Sequence, residues 1–262
     1  MMIFDKDLRR LKDQSSKDGY LTIYLSTDQT SNDQQKGEWK IRLKNGLKKL
    51  EEYNKSIGEK DLAVFNKMQN KAIKEIHKLQ TELPKGIIFI VAANGKFLLK
   101  KLQIPVNNEF YWEKEPILTQ LEKIRADYPL EGILFIQKEG VFAIETSIGE
   151  VKHEMVYELD IENDDWRKQE GVAATERIAS GTNHRDKYEH RFEANQHRWF
   201  KSLANTLQKE ARSKGWNTIY LLGEEELTSA FEDYLQFSSI KKMNKNYKKF
   251  SSKEIVGQVL AS

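Results

Sequence analysis

The sequence contains no cysteine. That removes disulfides, thiolate zinc sites and cysteine nucleophiles from the chemistry open to it. It also has no stretch approaching the roughly 20 consecutive apolar residues of a membrane span, so no membrane partner is expected. Hydrophobic residues fill only 39% of the 262 positions and charged residues 32%. Helices and strands must therefore be amphipathic, under a wide solvated surface. Residues Met1 to Lys17 are charged from Asp5 onward and lack the apolar centre of a signal peptide, which makes the cytoplasm the expected location. There is no P-loop, no G-x-G-x-x-G and no G-x-S-x-G, so no cofactor is expected. Internal repeats and low-complexity tracts are absent too, and the pattern assigns no oligomeric state.

Charge of one sign is also scarce. The net value is +3, from 43 Lys+Arg against 40 Asp+Glu, which is too even to imply a nucleic-acid partner by itself. The distribution says more. Asp160 to Asp165 (DIENDD) is acidic. Arg177 to Arg212 is basic and holds three of the five histidines, and Lys241 to Lys253 is basic again. Basic patches beside an acidic loop suit a phosphate-rich partner, although ordinary solvated helix faces look the same in sequence.

Periodicity lays out the elements. YLTIYLS, starting at Tyr20, alternates as a strand does. Trp39 to Tyr53 is predicted as a helix with Ile41, Leu43, Leu47 and Leu50 inward. Asp61 to Leu83 is predicted as a longer helix with Leu62, Phe65, Met68, Ile73, Ile76 and Leu79 inward, closed by Pro84 and Gly86. The continuous apolar run Ile87 to Ala93 predicts a buried strand. Asn94-Gly95 signals a type I′ hairpin with a return strand over Phe97 to Leu102. After a short helix over 116–128, three runs, at 132–137, 141–147 and 151–159, predict an antiparallel meander. Residues 160–183 form a long polar segment without a period. A long helix to Gly215, a strand at 217–222, a helix at 224–235, an edge strand at 239–247 and a last helix at 252–260 complete the order. The expected class is α/β, with two mixed-sheet domains, 1–115 and 116–262, the second ribonuclease-H-like.

The stretch from Gly181 to Gly215 organises the second half. A polar loop, Gly181-Thr182-Asn183, runs into a helix whose apolar stripe is Tyr188, Phe192, Trp199, Leu203, Leu207 and Ala211. Lys187, Arg191, Arg198 and Lys201 fall on a second face, about a quarter to a third of a turn away, with Arg185 at the loop. Cations so placed suit RNA phosphates, which position a protein without reading sequence; they suit plain solubility equally.

This fragment resembles the central domain of class 1 release factors of the archaeal and eukaryotic type. There a Gly-Gly-Gln tripeptide precedes an Arg-Phe pair and a basic helix carrying an aromatic about eleven residues past that Phe. Without gaps the tripeptide falls on Gly181-Thr182-Asn183, the Arg-Phe pair on Lys187-Tyr188, the aromatic on Trp199 and a basic partner on His197. Tyr220-Leu221-Leu222-Gly223 and the segments from Ile240 to Leu260 match the strand and closing helix of that domain. The resemblance covers residues 130 to 262, and YLTIYLST with its two helices and hairpin extends it to bacterial relatives of these factors. It implies a release-factor central-domain fold, and the ribosomal large subunit, tRNA and rRNA as partners. It implies work in translation or ribosome rescue, with hydrolysis of the peptidyl-tRNA ester at Gly181 and Asn183. RNA contacts would come from Arg185, Lys187, Arg191, Arg198 and Lys201. Thr182 stands where the family has its second Gly, and Asn183 where it has Gln. A non-catalytic ribosome- or RNA-binding factor is therefore the first alternative, and a metal-dependent nuclease the second.

Other constellations are weaker. His184, His190 and His197 are spaced by six and seven, and the last two stand about 10 Å apart on a helix, too far to share an ion. No metal site is expected. Asp160, Glu162, Asp164 and Asp165 could recruit divalent ions as nuclease carboxylates do, but all four sit in one segment. Trp39, Tyr111, Trp112, Trp166 and Trp216 show no stacking period and read as core or edge residues.

Overall fold

The structure, a computed structural model, describes residues 19–29, 37–55, 59–138, 140–160, 165–170, 185–245, 247 and 249–262; at 59–61, 160, 165, 166 and 185–195 it describes the backbone alone. The chain divides into two compact units, Met1–Lys123 and Ile124–Ser262. Among the described residues no helix is long and apolar enough to cross a membrane.

The first unit contains β1 (Tyr20–Ser26), α1 (Glu38–Lys55), α2 (Glu59–His77), β2 (Gly86–Ala92), β3 (Phe97–Leu102) and β4 (Glu109–Glu113); α3 (Thr119–Asp127) follows. The sheet order is β3-β2-β1-β4, and every pair is antiparallel. The α/β class holds, but this sheet was expected to be mixed. The reason lies in the α1–α2 excursion: a pair of helices returns the chain to the sheet end it left, so β2 runs back along β1. One face, built from Leu21, Ile23, Leu25, Ile87, Phe89 and Val91, packs on Trp39, Leu43 and Leu47 of α1 and Phe65, Met68, Ala72 and Ile76 of α2. Ile41, expected inward, is 60% exposed. Trp39, Leu43 and Leu47 repeat at four residues, and Ile41 falls on the opposite side of that stripe.

The β2–β3 hairpin forms where Asn94-Gly95 signalled it, with a different turn. Gly95 has φ +83° while Asn94 stays at negative φ, and a type I′ turn needs positive φ at both. Gly95 N–H donates to Ala92 O and Ala92 N–H to Lys96 O, closing a three-residue loop over Ala93, Asn94 and Gly95. The glycine takes the left-handed position that such a loop demands.

The second unit holds β5 (Glu131–Ile136), β6 (Gly140–Ser147), β7 (Glu150–Asp160), β8 (Asp165–Glu170), α4 (Arg185–Lys214), β9 (Ile219–Leu222), α5 (Glu225–Glu232), β10 (Ile240–Met243) and α6 (Ser252–Val259). Its sheet order is β10-β9-β5-β6-β7-β8. β5 to β8 form an antiparallel meander, and β9 and β10 add in parallel beyond β5. This is a ribonuclease-H-like sheet carrying one further edge strand. Alternation along the strands splits the core in two. Leu134, Ile136, Val141, Ala143, Met155 and Tyr157 face α4 and α5. Ile133, Phe135, Phe142, Ile144 and Val156 face α6. Ser251 caps α6 through a reciprocal pair with Glu254. The extra strand, β8, lies inside the segment read from sequence as aperiodic. As an edge strand of residues DWRKQE it shows no apolar alternation.

Candidate functional site

α4 is the element on which the expected site residues converge. Thirty residues long, it spans about 45 Å. Its C-terminal half buries Trp199, Phe200, Leu203, Ala204, Leu207 and Ala211 against the sheet and α5. Each of the large side chains contributes about 1.5–3 kcal/mol by leaving water. Phe200 and Ala204 widen the expected stripe, because a helix lying across a sheet buries a band broader than one line of residues.

Polar anchors then fix the helix in place. Tyr157 of β7 donates to Glu210 Oε2 at 2.7 Å, and Lys168 of β8 donates to Glu210 Oε1 at 2.8 Å. Burial pushes the Tyr157 phenol far up, and the Glu210 carboxylate adds to the shift, so the hydroxyl stays a donor. Burial alone would raise Glu210, but Lys168, Tyr157 and Lys214 outweigh it and leave that carboxyl below its ordinary value. Arg212 donates to Gln236 O at 2.9 Å, and Gln236 N–H donates to Gln208 Oε1 at 2.7 Å.

The helix ends in a Schellman closure. Gly215, at φ +77°, donates to Arg212 O, and Trp216 N–H reaches Ala211 O at 2.9 Å. That turn delivers the Trp216 ring onto Gly132 of β5, where a Cβ would lie 2.0 Å from it. The Trp216 indole donates to Glu145 Oε2 at 2.9 Å, and Lys214 Nζ stands 3.1 Å from the same oxygen. Glu145 is buried at the one register shift between β6 and β7, a place where a strand re-aims its side chains. The sequence reading missed this anchor set. The glycine that ends the helix and the tryptophan after it were its only sequence signal.

The tripeptide Gly181-Thr182-Asn183 lies outside the described residues, as does His184. α4 begins at Arg185, two positions past Asn183. The backbone puts Lys187, Arg191, Arg198 and Lys201 on one strip of this helix, about 21 Å from first to last. Arg198 and Lys201 are exposed, and Lys201 has no acidic partner among the described residues. For Arg185, Lys187 and Arg191 the backbone alone is described. His197, aligned with the family's basic partner, hydrogen-bonds through Nδ1 to the Tyr234 hydroxyl.

The second basic segment is used differently. Lys242 is 2.8 Å from Glu232, Lys245 bonds Gln258 at 2.5 Å, and Lys241 lies over the Tyr220 ring. Of the four acids, Asp160 and Asp165 are register partners on the paired strands β7 and β8, and Glu162 and Asp164 lie outside the described residues. Among the described residues no group of three His, Asp or Glu side chains is placed to hold a metal ion. Trp39 and Trp216 are buried in their cores, while Tyr111 and Trp112 sit half-buried on β4.

Residues 129–261 match the bacterial archaeo-eukaryotic release factor family 5, and the chain belongs to that family. It is 31% identical over 229 residues to the uncharacterized protein YocB of Bacillus subtilis (strain 168), covering 87% of this chain and 86% of that one. Two solved structures are more distantly similar. An archaeal protein aligns at 15% identity and TM-score 0.34 over 98% of this chain and 70% of its own. The archaeal translation termination factor aRF1 aligns at 12% identity and TM-score 0.32 over 97% and 72%.

Proposed function

We propose that the protein is a ribosome-associated factor of the release or rescue type that acts in the cytoplasm on peptidyl-tRNA held by the large subunit. Family membership supports a release-factor-like role. The observation that carries the reading furthest is the build of α4, a helix fixed at its far end that starts two residues beyond Gly181-Thr182-Asn183. In this reading Arg185, Lys187, Arg191, Arg198 and Lys201 hold rRNA or tRNA phosphates. Gly181 lets the tip enter a narrow RNA-walled cavity. A water oxygen attacks the ester carbonyl, the Asn183 backbone N–H stabilises the developing oxyanion, and its carboxamide orients the water. The tRNA 3′ oxygen then leaves with a proton. Most of the remaining acceleration is positioning, shared with the RNA walls.

A peptidyl-tRNA release assay on large subunits tests the chemistry. Asn183→Ala keeps the backbone N–H but removes the carboxamide that orients the water, so the release rate should fall by about a hundredfold, the scale of a lost positioning contact. Its unfolding midpoint should stay unchanged. Equal release by both proteins, above the rate without protein, would remove the Asn183 carboxamide from the chemistry, and no release by either would sink the hydrolytic reading. The second reading, a non-catalytic ribosome-binding factor, is favoured by Thr182 and Asn183 in place of the family's Gly and Gln. It predicts no release by either protein, but co-sedimentation with large subunits that weakens between low and moderate salt. No co-sedimentation at any salt would sink both.

A further inference from the structure

A second place suited to a polyanion lies in the first unit, among residues that carry no role in the proposed function. α2 puts Lys67, Lys71 and Lys74 on one helix face, at i, i+4 and i+7. Together with Asn70 and the hairpin tip residues Asn94 and Gly95, they line a hollow of about 370 Å³. No carboxylate lines it among the described residues. Lys67 and Lys74 are exposed and have no acidic partner among the described residues. Lys71 is shared. It stands 3.5 Å from Glu75, and its Nζ lies 4.8 Å from the centre of the Phe97 ring.

Phe97 is the unusual member. It opens β3 beside the hairpin tip, is 40% exposed, and stacks on the buried Phe89 at 5.4 Å with 28° between the rings. An aromatic held from behind by the core and open in front is a platform for a flat ring. Asn94 is preset in turn: its side-chain oxygen accepts Lys96 N–H at 2.9 Å, which leaves the amide nitrogen as a donor.

Two larger hollows lack this character. A groove of about 580 Å³ along α1 carries Lys40, Lys44, Lys48 and Lys55, but two carboxylates line it as well, Glu52 and Glu51, which pair with Lys48 and Lys55 at 3.6 and 3.0 Å. A hollow of about 390 Å³ at the C-terminal ends of β5 and β9 sets Glu224 and Glu225 against Lys138 and Lys245. Both set carboxylates among their cations, which the α2–hairpin hollow does not. The α2–hairpin hollow combines surplus cations, amide donors and a supported aromatic, which is the equipment for single-stranded nucleic acid.

We propose that this face docks a single-stranded RNA segment. Lys67 and Lys74 take phosphates, and a base stacks on Phe97 in place of the Lys71 ammonium, which swings on its flexible stem to that nucleotide's phosphate. The surface works independently of the α4 strip, and its failure would leave the reading of α4 intact.

Fluorescence anisotropy of the full-length chain with a short labelled oligoribonucleotide of mixed sequence, without ribosomes, tests it. Lys67→Gln with Lys74→Gln should weaken binding about tenfold and lower the slope of log K against log salt by roughly 1.4, about 0.7 for each phosphate released. Phe97→Leu should cost about five- to tenfold, and Phe97→Trp should match or exceed the wild type, because any broad aromatic face serves a base. Loss of the Lys effect, or equal binding by the Leu and Trp variants, would overturn the proposal. So would a wild-type chain that binds no RNA, or one whose RNA is displaced equally well by polyglutamate of matched charge. If Phe97→Leu fails to fold, the lysine pair, both exposed, decides alone.

Discussion

The base of α4 and its middle leave lysines in different states. At the C-terminal end, cations are consumed inside the fold. Lys168 closes on Glu210, and Lys214 stands against Glu145 beside the Trp216 indole. Further up the helix, Lys201 is exposed without an acidic partner among the described residues, on the strip that continues through Arg198, Arg191 and Lys187. The difference teaches where stability stops and availability begins. A cation already paired must break that pair before it meets a phosphate. One left over meets it without that penalty, and the counterions released then drive binding. The base is thus organised as a fixed mount, and contact of the strip with RNA phosphates is what the proposal adds to it.

The hardest way to break this comparison is to remove the mount. Trp216→Ala takes away a buried ring lying on Gly132 and leaves the buried Glu145 without its indole donor. Urea unfolding should show a loss of about 3–5 kcal/mol, the range for truncating a large buried aromatic. A loss under about 1 kcal/mol would mean that the helix is held by its apolar band alone.

Glu210→Gln sharpens the comparison by a smaller amount. The amide keeps an acceptor for Tyr157 but loses the charge that holds Lys168. A cost of about 1 kcal/mol at neutral pH is expected, since Lys168 is partly exposed and its pairing is screened. The pH dependence carries a sign. Because the folded-state pKa of Glu210 lies below its unfolded value, its contribution is fully present above the ordinary carboxylate range. It is lost as pH falls through the depressed folded value. The gap between wild type and variant should therefore close as the solution is acidified. A gap that stays constant would assign the effect to packing.

Glu131 makes the opposite contribution within the same unit. Its burial raises the carboxyl, against the pull of the Tyr220 hydroxyl at 3.3 Å, Lys241 and Thr218. Its share of stability is present below the ordinary range and declines as pH rises through the folded value. The net acid limb of the unit is a sum of the two, so the Glu210 term has to be read from the difference between wild type and Glu210→Gln.

Much of this arrangement was legible in the sequence because it rests on local periodicity. The meander, the long helix to Gly215 and the strands around it were each set by their own residues. The release-factor likeness of the second half was carried by spacing along one helix. What escaped depends on distant partners or on edges. Ile41 was placed inward because an apolar residue two positions before Leu43 looks like a stripe; the repeat through Trp39 was the physical one. β8 was missed because an edge strand need not alternate, and Trp166 is its only apolar residue. The partnership of Glu145 with Trp216 spans 71 positions, and no local rule reaches so far. The hairpin at Asn94-Gly95 was found, yet its turn type was not, since Ala93 joins the loop and relieves Asn94 of positive φ.

The smallest expected change in stability tests the other end of the helix, and it is the one that separates a strip built for RNA from one built for solubility. Arg198→Gln with Lys201→Gln alters two exposed side chains beside the buried Trp199 and Phe200 without touching them. Unfolding free energy should move by no more than about 0.5 kcal/mol, as for surface substitutions in general. Co-sedimentation with large subunits should nevertheless collapse at a lower salt concentration than for the wild type. Every phosphate that goes unneutralised keeps its counterions, and their release no longer favours binding, whatever the stability of the free protein. If instead the variant tracks the wild type across the whole salt series, the cations of α4 serve solubility, and the mount at its base holds up a helix with no RNA to meet.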